Sequence, residues 1–227
     1  MEKSQYLLLQ VNDALFPIGG YAHSYGLETY VQKGIVHDIE TSGDYIKKSL
    51  LYKLCYTDLF AVRLAYEYTQ KHEWSKLLEL DEMLTAVKGP KEIRHASYKL
   101  AARFLKTVKA FNASYEEKEI SIYLDGYQKK HLVTVYGAFC QGIGADYHMA
   151  ITTFLYAQTS AMVTNCVKLV PLSQTAGQQL LYSCYPVLEQ VKDILPKLNL
   201  EDFGASAPGF DIRSMQHEEL YSRLYMS

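Results

Sequence analysis

Cysteine is scarce in this 227-residue sequence: only Cys55, Cys140, Cys166 and Cys184, far apart in apolar segments. With no C-x-x-C pair and no histidine at zinc-site spacing, they exclude a zinc module and a redox motif and read as buried free thiols. The seven histidines, His23, His37, His72, His95, His131, His148 and His217, form no H-x₃-H or H-E-x-x-H pair, so neither a resident metal nor a cofactor is predicted. No G-x-x-x-x-G-K-[ST] loop is present, which excludes a P-loop nucleotide hydrolase and leaves any energy input to a partner. Charge of one sign is also missing. Lys and Arg number 23 against 25 Asp and Glu, a net −2, so no global field draws the chain to nucleic acid or anionic lipid. The most apolar stretch, Met149 to Leu169, is broken by Thr152, Thr153, Gln158, Ser160 and Asn165, and it reads as a core helix rather than a membrane span. Tyr6 to Leu9 is too short an apolar run for a secretory signal, and the expectation is a soluble protein of the cytoplasm.

What is present has a helical period almost throughout, and 48% hydrophobic residues can fill one sizeable core. The predicted fold is all-α, a single-domain bundle of about ten helices. In Pro90 to Asn112, Ile93, Leu100, Phe104, Val108 and Phe111 share one stripe, while Lys99, Arg103, Lys106 and Lys109 form a basic one that reads as a solvated face. Thr41 and Ser42 are expected to cap a helix through Ile46, Leu50 and Leu54; Ser114 with Glu117 forms a capping box for the next. His131 to Gly144 and Asp146 to Lys168 are two further helices, with Asp146 as an N-cap and His148 on the surface. The second is apolar nearly all round and is expected at the bundle's centre, where Ala157 and Ala161 would admit a close neighbour. Pro171, Pro186 and Pro196 punctuate shorter helices around Thr175 to Tyr182 and Val187 to Leu195. Leu15 to Tyr21 and Asn199 to Asp211 break the rhythm and read as irregular segments of the kind that carry function.

One catalytic pattern invites a test. Ala22-His23-Ser24-Tyr25-Gly26 approaches the G-x-S-x-G elbow of serine hydrolases, but no strand precedes it and no oxyanion loop follows. Ser24 then reads first as a capping or packing hydroxyl, held with His23 by hydrogen bonds to nearby backbone. Twenty tyrosines suit surfaces half-buried against other proteins. The residues alone thus describe a helical binding protein without a visible catalytic site.

Three motifs narrow this further. Asp13-Ala14-Leu15-Phe16-Pro17-Ile18-Gly19-Gly20-Tyr21-Ala22-His23-Ser24-Tyr25-Gly26-Leu27-Glu28 resembles the N-terminal signature of the UreF family of urease accessory proteins. Lys168-Leu169-Val170-Pro171-Leu172-Ser173-Gln174 resembles its Arg-Leu-x-Pro-Leu-Gly-Gln stretch, with Lys168 for Arg and Ser173 for Gly. His217-Glu218-Glu219-Leu220-Tyr221-Ser222-Arg223-Leu224-Tyr225 resembles its terminal His-Glu-x-Leu-x-Ser-Arg-Leu-Phe, with Tyr225 for Phe. The resemblance implies a non-enzymatic, homodimeric chaperone or adaptor that acts with UreD (also called UreH) and the GTPase UreG to insert nickel into the urease apoprotein. It places partner binding on Phe16, Pro17, Gly19, His23, Ser24, Glu28, His217, Glu218, Leu220, Arg223, Leu224 and Tyr225. Residues 1–198 would form the helical core and 199–227 a flexible tail with a short docking helix. Met215, Leu220, Tyr221, Leu224 and Tyr225 are few apolar side chains to offset the ordering of about 20 residues, so the tail is expected to order against UreD. The alternatives from the residues themselves are a serine hydrolase built on the Ser24 segment and a helical scaffold unrelated to urease.

Overall fold

The computed structural model describes residues 3–111, 118–126, 129–205 and 207–227, and among them the chain is all-α with no strand. Ser114 and Glu117, read as a capping box, lie outside the described residues. Short helices α1 (Lys3–Val11) and α2 (Leu27–Gln32) flank the signature loop. Next come α3 (Ile39–Ser49), a π-helical stretch Leu50–Leu59 and α4 (Phe60–Gln70), which run on as one rod. The rod starts three residues earlier than expected, because Asp38 rather than Thr41 or Ser42 is the N-cap. Its carboxylate accepts from Thr41 N at 2.8 Å while the Thr41 hydroxyl accepts from Asp38 N at 3.1 Å, so Thr41 closes a capping box from inside the helix.

The centre of the bundle is also displaced from expectation. After α5 (Trp74–Val87), α6 (Lys91–Lys109) and α7 (Lys118–Asp125) comes α8 (Leu132–Gly142), with nine of its eleven residues buried, whereas α9 (Tyr147–Leu169) buries eight of 23. Helix α8 is enclosed because Gly137 lets it come against α4; a Cβ there would sit 2.5 Å from Val62 O and 2.8 Å from Ala65 Cβ. The close approach foreseen at Ala157 and Ala161 is therefore made elsewhere, and Ala161 faces outward beside the exposed Tyr156. Asp146 does cap α9, accepting from Met149 N at 2.8 Å, and His148 is exposed.

Helix α10 (Gln174–Ser183) is capped by Ser173, whose hydroxyl accepts from Ala176 N at 3.1 Å, and α11 (Tyr185–Ile194) carries Pro186 in its first turn. All four cysteines are buried free thiols, as expected. Burial pushes Cys55 up to about 11 and Cys166 up to about 12, which keeps both as unreactive thiols at neutral pH. The last helix, α12 (Pro208–Gln216), begins inside the stretch expected to be irregular, since Pro208 sits where a first turn tolerates it. No helix among the described residues is long and apolar enough to cross a membrane.

A buried polar pin fastens α5 to α8. Asp81 accepts from His131 N at 2.8 Å, from the Thr134 hydroxyl at 2.5 Å and from the Tyr123 hydroxyl at 3.1 Å. Burial outweighs these donors and pushes the carboxyl up to about 6. His131, with Nδ1 3.1 Å from Ser97 Oγ and Nε2 3.1 Å from Thr85 Oγ1, is pushed down to about 3, by burial first and the Lys88 charge second.

Candidate partner-docking site

The signature loop is shaped by backbone that few side chains tolerate. Gly19 has φ +82°, and Tyr25 and Gly26 follow one another at +54° and +89°. A Cβ on Gly26 would meet Ser214 Oγ at 2.5 Å and the Ser214 backbone at 3.1 Å, so only glycine admits α12 this close to the start of α2. These turns aim the amides of Ser24 and Tyr25 at the main-chain oxygen of Ser227, 2.6 and 3.1 Å away, and the Ser24 hydroxyl donates to the same oxygen at 2.9 Å. His23 Nδ1 lies 2.8 Å from Ser227 Oγ, while the His23 carbonyl accepts from Asn165 of α9 at 3.0 Å. His23 and Ser24 thus do hold the loop by hydrogen bonds, but their main partner is the far end of the chain rather than nearby backbone. Burial lowers His23 below the ordinary histidine range, with Lys99 and Arg103 adding to the effect.

Glu28 is the second fastening. Buried in the first turn of α2, its carboxylate accepts from Leu224 N at 2.7 Å and from Tyr225 N at 3.1 Å, and it lies 3.0 Å from His217 Nε2. The other ring nitrogen of His217, Nδ1, lies 2.8 Å from Glu92 of α6, and Glu92 also takes a 2.7 Å bond from Arg223. A fully buried imidazole thus stands between two carboxylates, with a half-exposed guanidinium on the outer one. The first and last motifs meet in one clasp.

Not every expected residue belongs to it. Phe16 is buried against Phe104 and Phe111, at ring separations of 5.7 and 6.2 Å, Pro17 is exposed nearby, and Gly19 lies beside Arg103. Phe16 and Gly19 pack the loop on α6, and Pro17 stays on the surface. Glu218 is exposed at the rim of a cleft shared with His23, Glu92 and His95, and Leu220 is half-buried at the turn after α12. Tyr225 is buried with a hydroxyl that has no partner among the described residues, in keeping with a position where a plain ring suffices. Sequence reasoning missed Glu92, Asn165, Ser214 and Ser227. Asn165 carried a usable signal, as an amide inside an apolar helix, and Glu92 only the weaker one of an acid in a first helical turn.

The clasp does not present Ser24 as an exposed nucleophile. Ser24 is 3% exposed and already bonded, and no strand among the described residues precedes it, which removes the elbow that a hydrolase needs. Among the described residues no group of three His, Cys, Asp or Glu side chains is arranged so that it could hold a metal ion. The basic stripe of α6 is exposed, with Lys109 paired to Asp125 at 2.6 Å and Arg103 reaching the Ile18 carbonyl at 3.3 Å.

Comparison with known proteins settles the family. The family model for UreF matches residues 36–185. The chain belongs to the UreF family. Urease accessory proteins UreF of Actinobacillus pleuropneumoniae, from serotype 5b (strain L20) and serotype 3 (strain JL03), are each 36% identical over an aligned length of 229, covering 97% of this chain and 97% of theirs. A UreF chain is an accessory protein and not an enzyme, which sets aside both the hydrolase reading and the unrelated scaffold. The matched segment 36–185 includes the Lys168 to Gln174 motif, and the two motifs of the clasp fall outside it.

Proposed function

We propose that this chain is a cytoplasmic, homodimeric chaperone and adaptor that binds UreD (UreH) and the GTPase UreG and with them inserts nickel into the urease apoprotein. The observation that carries the reading is the contrast within the tail. Its polar groups are fastened to Glu28, Glu92 and Ser24, while Tyr221, Leu224 and Met226 stand 106%, 69% and 59% exposed around them. Apolar side chains held outward on a fixed polar anchor are a docking surface rather than a core. Residues 199–227 act in this proposal as the docking unit, able to open from the core and settle again against UreD, with Phe16 to Glu28 as its seat. The outward face of α9, with Tyr156 and Ala161, supports a second copy as a further partner.

Co-expression with UreD, UreG and the urease subunits tests this. Leu224→Asp should leave the isolated chain folded while UreD capture and urease activation fall together. Retained capture and activation by that variant would refute the docking surface, and a monomer in light scattering at micromolar concentration would refute the homodimer.

A further inference from the structure

No part of the His217 ring reaches solvent, and each of its nitrogens faces a carboxylate from a different helix. Nε2 lies 3.0 Å from Glu28 Oε2 of α2, and Nδ1 lies 2.8 Å from Glu92 Oε2 of α6. A carboxylate oxygen only accepts, and a neutral imidazole has one N–H and one lone pair. A neutral ring would therefore satisfy one of these neighbours and set its lone pair against the other. Glu28 already accepts from Leu224 N and Tyr225 N, and Glu92 from Arg223. With an N–H on both nitrogens the ring donates to both sides. Two carboxylates are then matched by one imidazolium and one guanidinium, and the clasp closes without an unmatched charge.

Among the described residues no other charged group bonds the ring. On its own segment Glu218 and Glu219 are exposed, and on α12 Arg213 bonds Gln216 Oε1 at 2.7 Å. On α6, Lys91, His95 and Lys99 line the outer cleft together with Glu218 and with His23 of the signature loop. His23 is held below the ordinary histidine range, by burial first and the Lys99 charge second, so above about pH 6.5 it stays neutral and exchanges no proton. A solvated imidazole, by contrast, is mostly neutral above about 6.5. We propose that the clasp is a proton-linked latch, in which closing the segment from His217 to Ser227 onto the core takes up one proton on His217. The closed clasp binds one proton more than the open segment, so the hold on the tail is strongest below about pH 6.5 and is lost as pH rises. The latch belongs to this chain alone and does not rest on the partner reading.

Hydrogen exchange in the full chain between about pH 7 and 8.5, corrected for the intrinsic pH dependence of amide exchange, reads the latch through the amides of Leu224 and Tyr225. Ring ¹⁵N resonances read the two nitrogens of His217. Protection of both amides should fall by about tenfold per pH unit, with no such slope in α4 and α8, and both ring nitrogens should carry a proton at about pH 7. His217→Gln should remove the slope. Glu92→Gln, whose amide can pair with a neutral ring, should remove it as well while His217 is retained, which separates loss of the proton from loss of the imidazole. His95→Gln, in the neighbouring cleft, should keep the full slope. Wild-type protection that does not change with pH, an unprotonated ring nitrogen in the closed clasp, a slope that survives in both His217→Gln and Glu92→Gln, or one lost in His95→Gln would each overturn the latch.

Discussion

Glu28→Gln replaces a carboxylate by its nearest isostere and leaves no room for a second explanation based on volume. Glu28 is 4% exposed, and its two oxygens serve Leu224 N, Tyr225 N and the ring of His217. A glutamine supplies one carbonyl oxygen and one NH₂, so whichever way the amide turns, at least one backbone N–H of the tail faces another donor. An orphaned buried donor costs about 1–3 kcal/mol, and each bond that survives falls from the charge-assisted to the neutral class, about 1 kcal/mol more. The sum, about 3–5 kcal/mol, matches the usual cost of breaking a buried charged pair. Because the loss is confined to contacts between the tail and α2, it should appear as easier opening of the tail rather than of the whole bundle. Hydrogen exchange resolved to single amides reads it directly. Protection at Leu224 and Tyr225 should fall by about 10²- to 10⁴-fold in Glu28→Gln, with amides of α4 and α8 unchanged. Equal protection in wild type and variant would refute the clasp, as would wild-type tail amides that exchange at the rate of free peptide. A parallel loss across α4 and α8 would refute the tail as a unit that opens by itself.

Arg223→Ala breaks a half-exposed pair with Glu92 and should change stability by under about 1 kcal/mol while weakening UreD capture, so calorimetry and pull-down should part company. Tyr225→Phe deletes a buried, unpartnered hydroxyl and should be neutral or stabilising by up to about 1 kcal/mol in urea denaturation, where a loss above that would reveal a hidden partner. The Asp81–His131 pin sets a pH pattern. His131, held down to about 3, contributes stability that is lost as pH falls below about 6.5, whereas Asp81, pushed up to about 6, contributes stability that is lost as pH rises from about 4 to 6. Between pH 4 and 6 the two slopes oppose each other, so Asp81→Asn should uncover a decline of about 1.4 kcal/mol per unit on acidification, and an unchanged slope in that variant would contradict the pairing.

Much of the fold was legible because helical periodicity is a local property. Lys91–Lys109 and Gln174–Ser183 follow their apolar stripes and proline boundaries within one to three residues. The errors arose where tertiary contact overrides local pattern. Helix α9 has the more continuous apolar run, yet α8 is central, because Gly137 and Ala65 allow a backbone approach that hydropathy does not register. Asp38 displaced Thr41 as the cap because both residues belong to one reciprocal pair, and which member lies outside the helix is decided by backbone geometry.

The candidate site was legible in its parts and not in its connections. His23, Ser24, Glu28, His217, Arg223 and Tyr225 were all singled out from their motifs, but nothing in the spacing of residues about 190 to 200 apart indicates that Glu28 receives the amides of Leu224 and Tyr225. Counting only apolar side chains in the tail also left out its polar fastenings, which run through backbone amides and so have no residue type to mark them. The same fastenings explain why the exposed Leu224 and the buried Tyr225 are neighbours. The chain bends at Leu224 and Tyr225, which brings both amides to one carboxylate while the Tyr225 ring is buried and the Leu224 side chain is exposed. In the proposed reading, the outward residues of the tail stay available to a partner only while Glu28 holds these two amides, which ties the tail to a residue far from it in sequence.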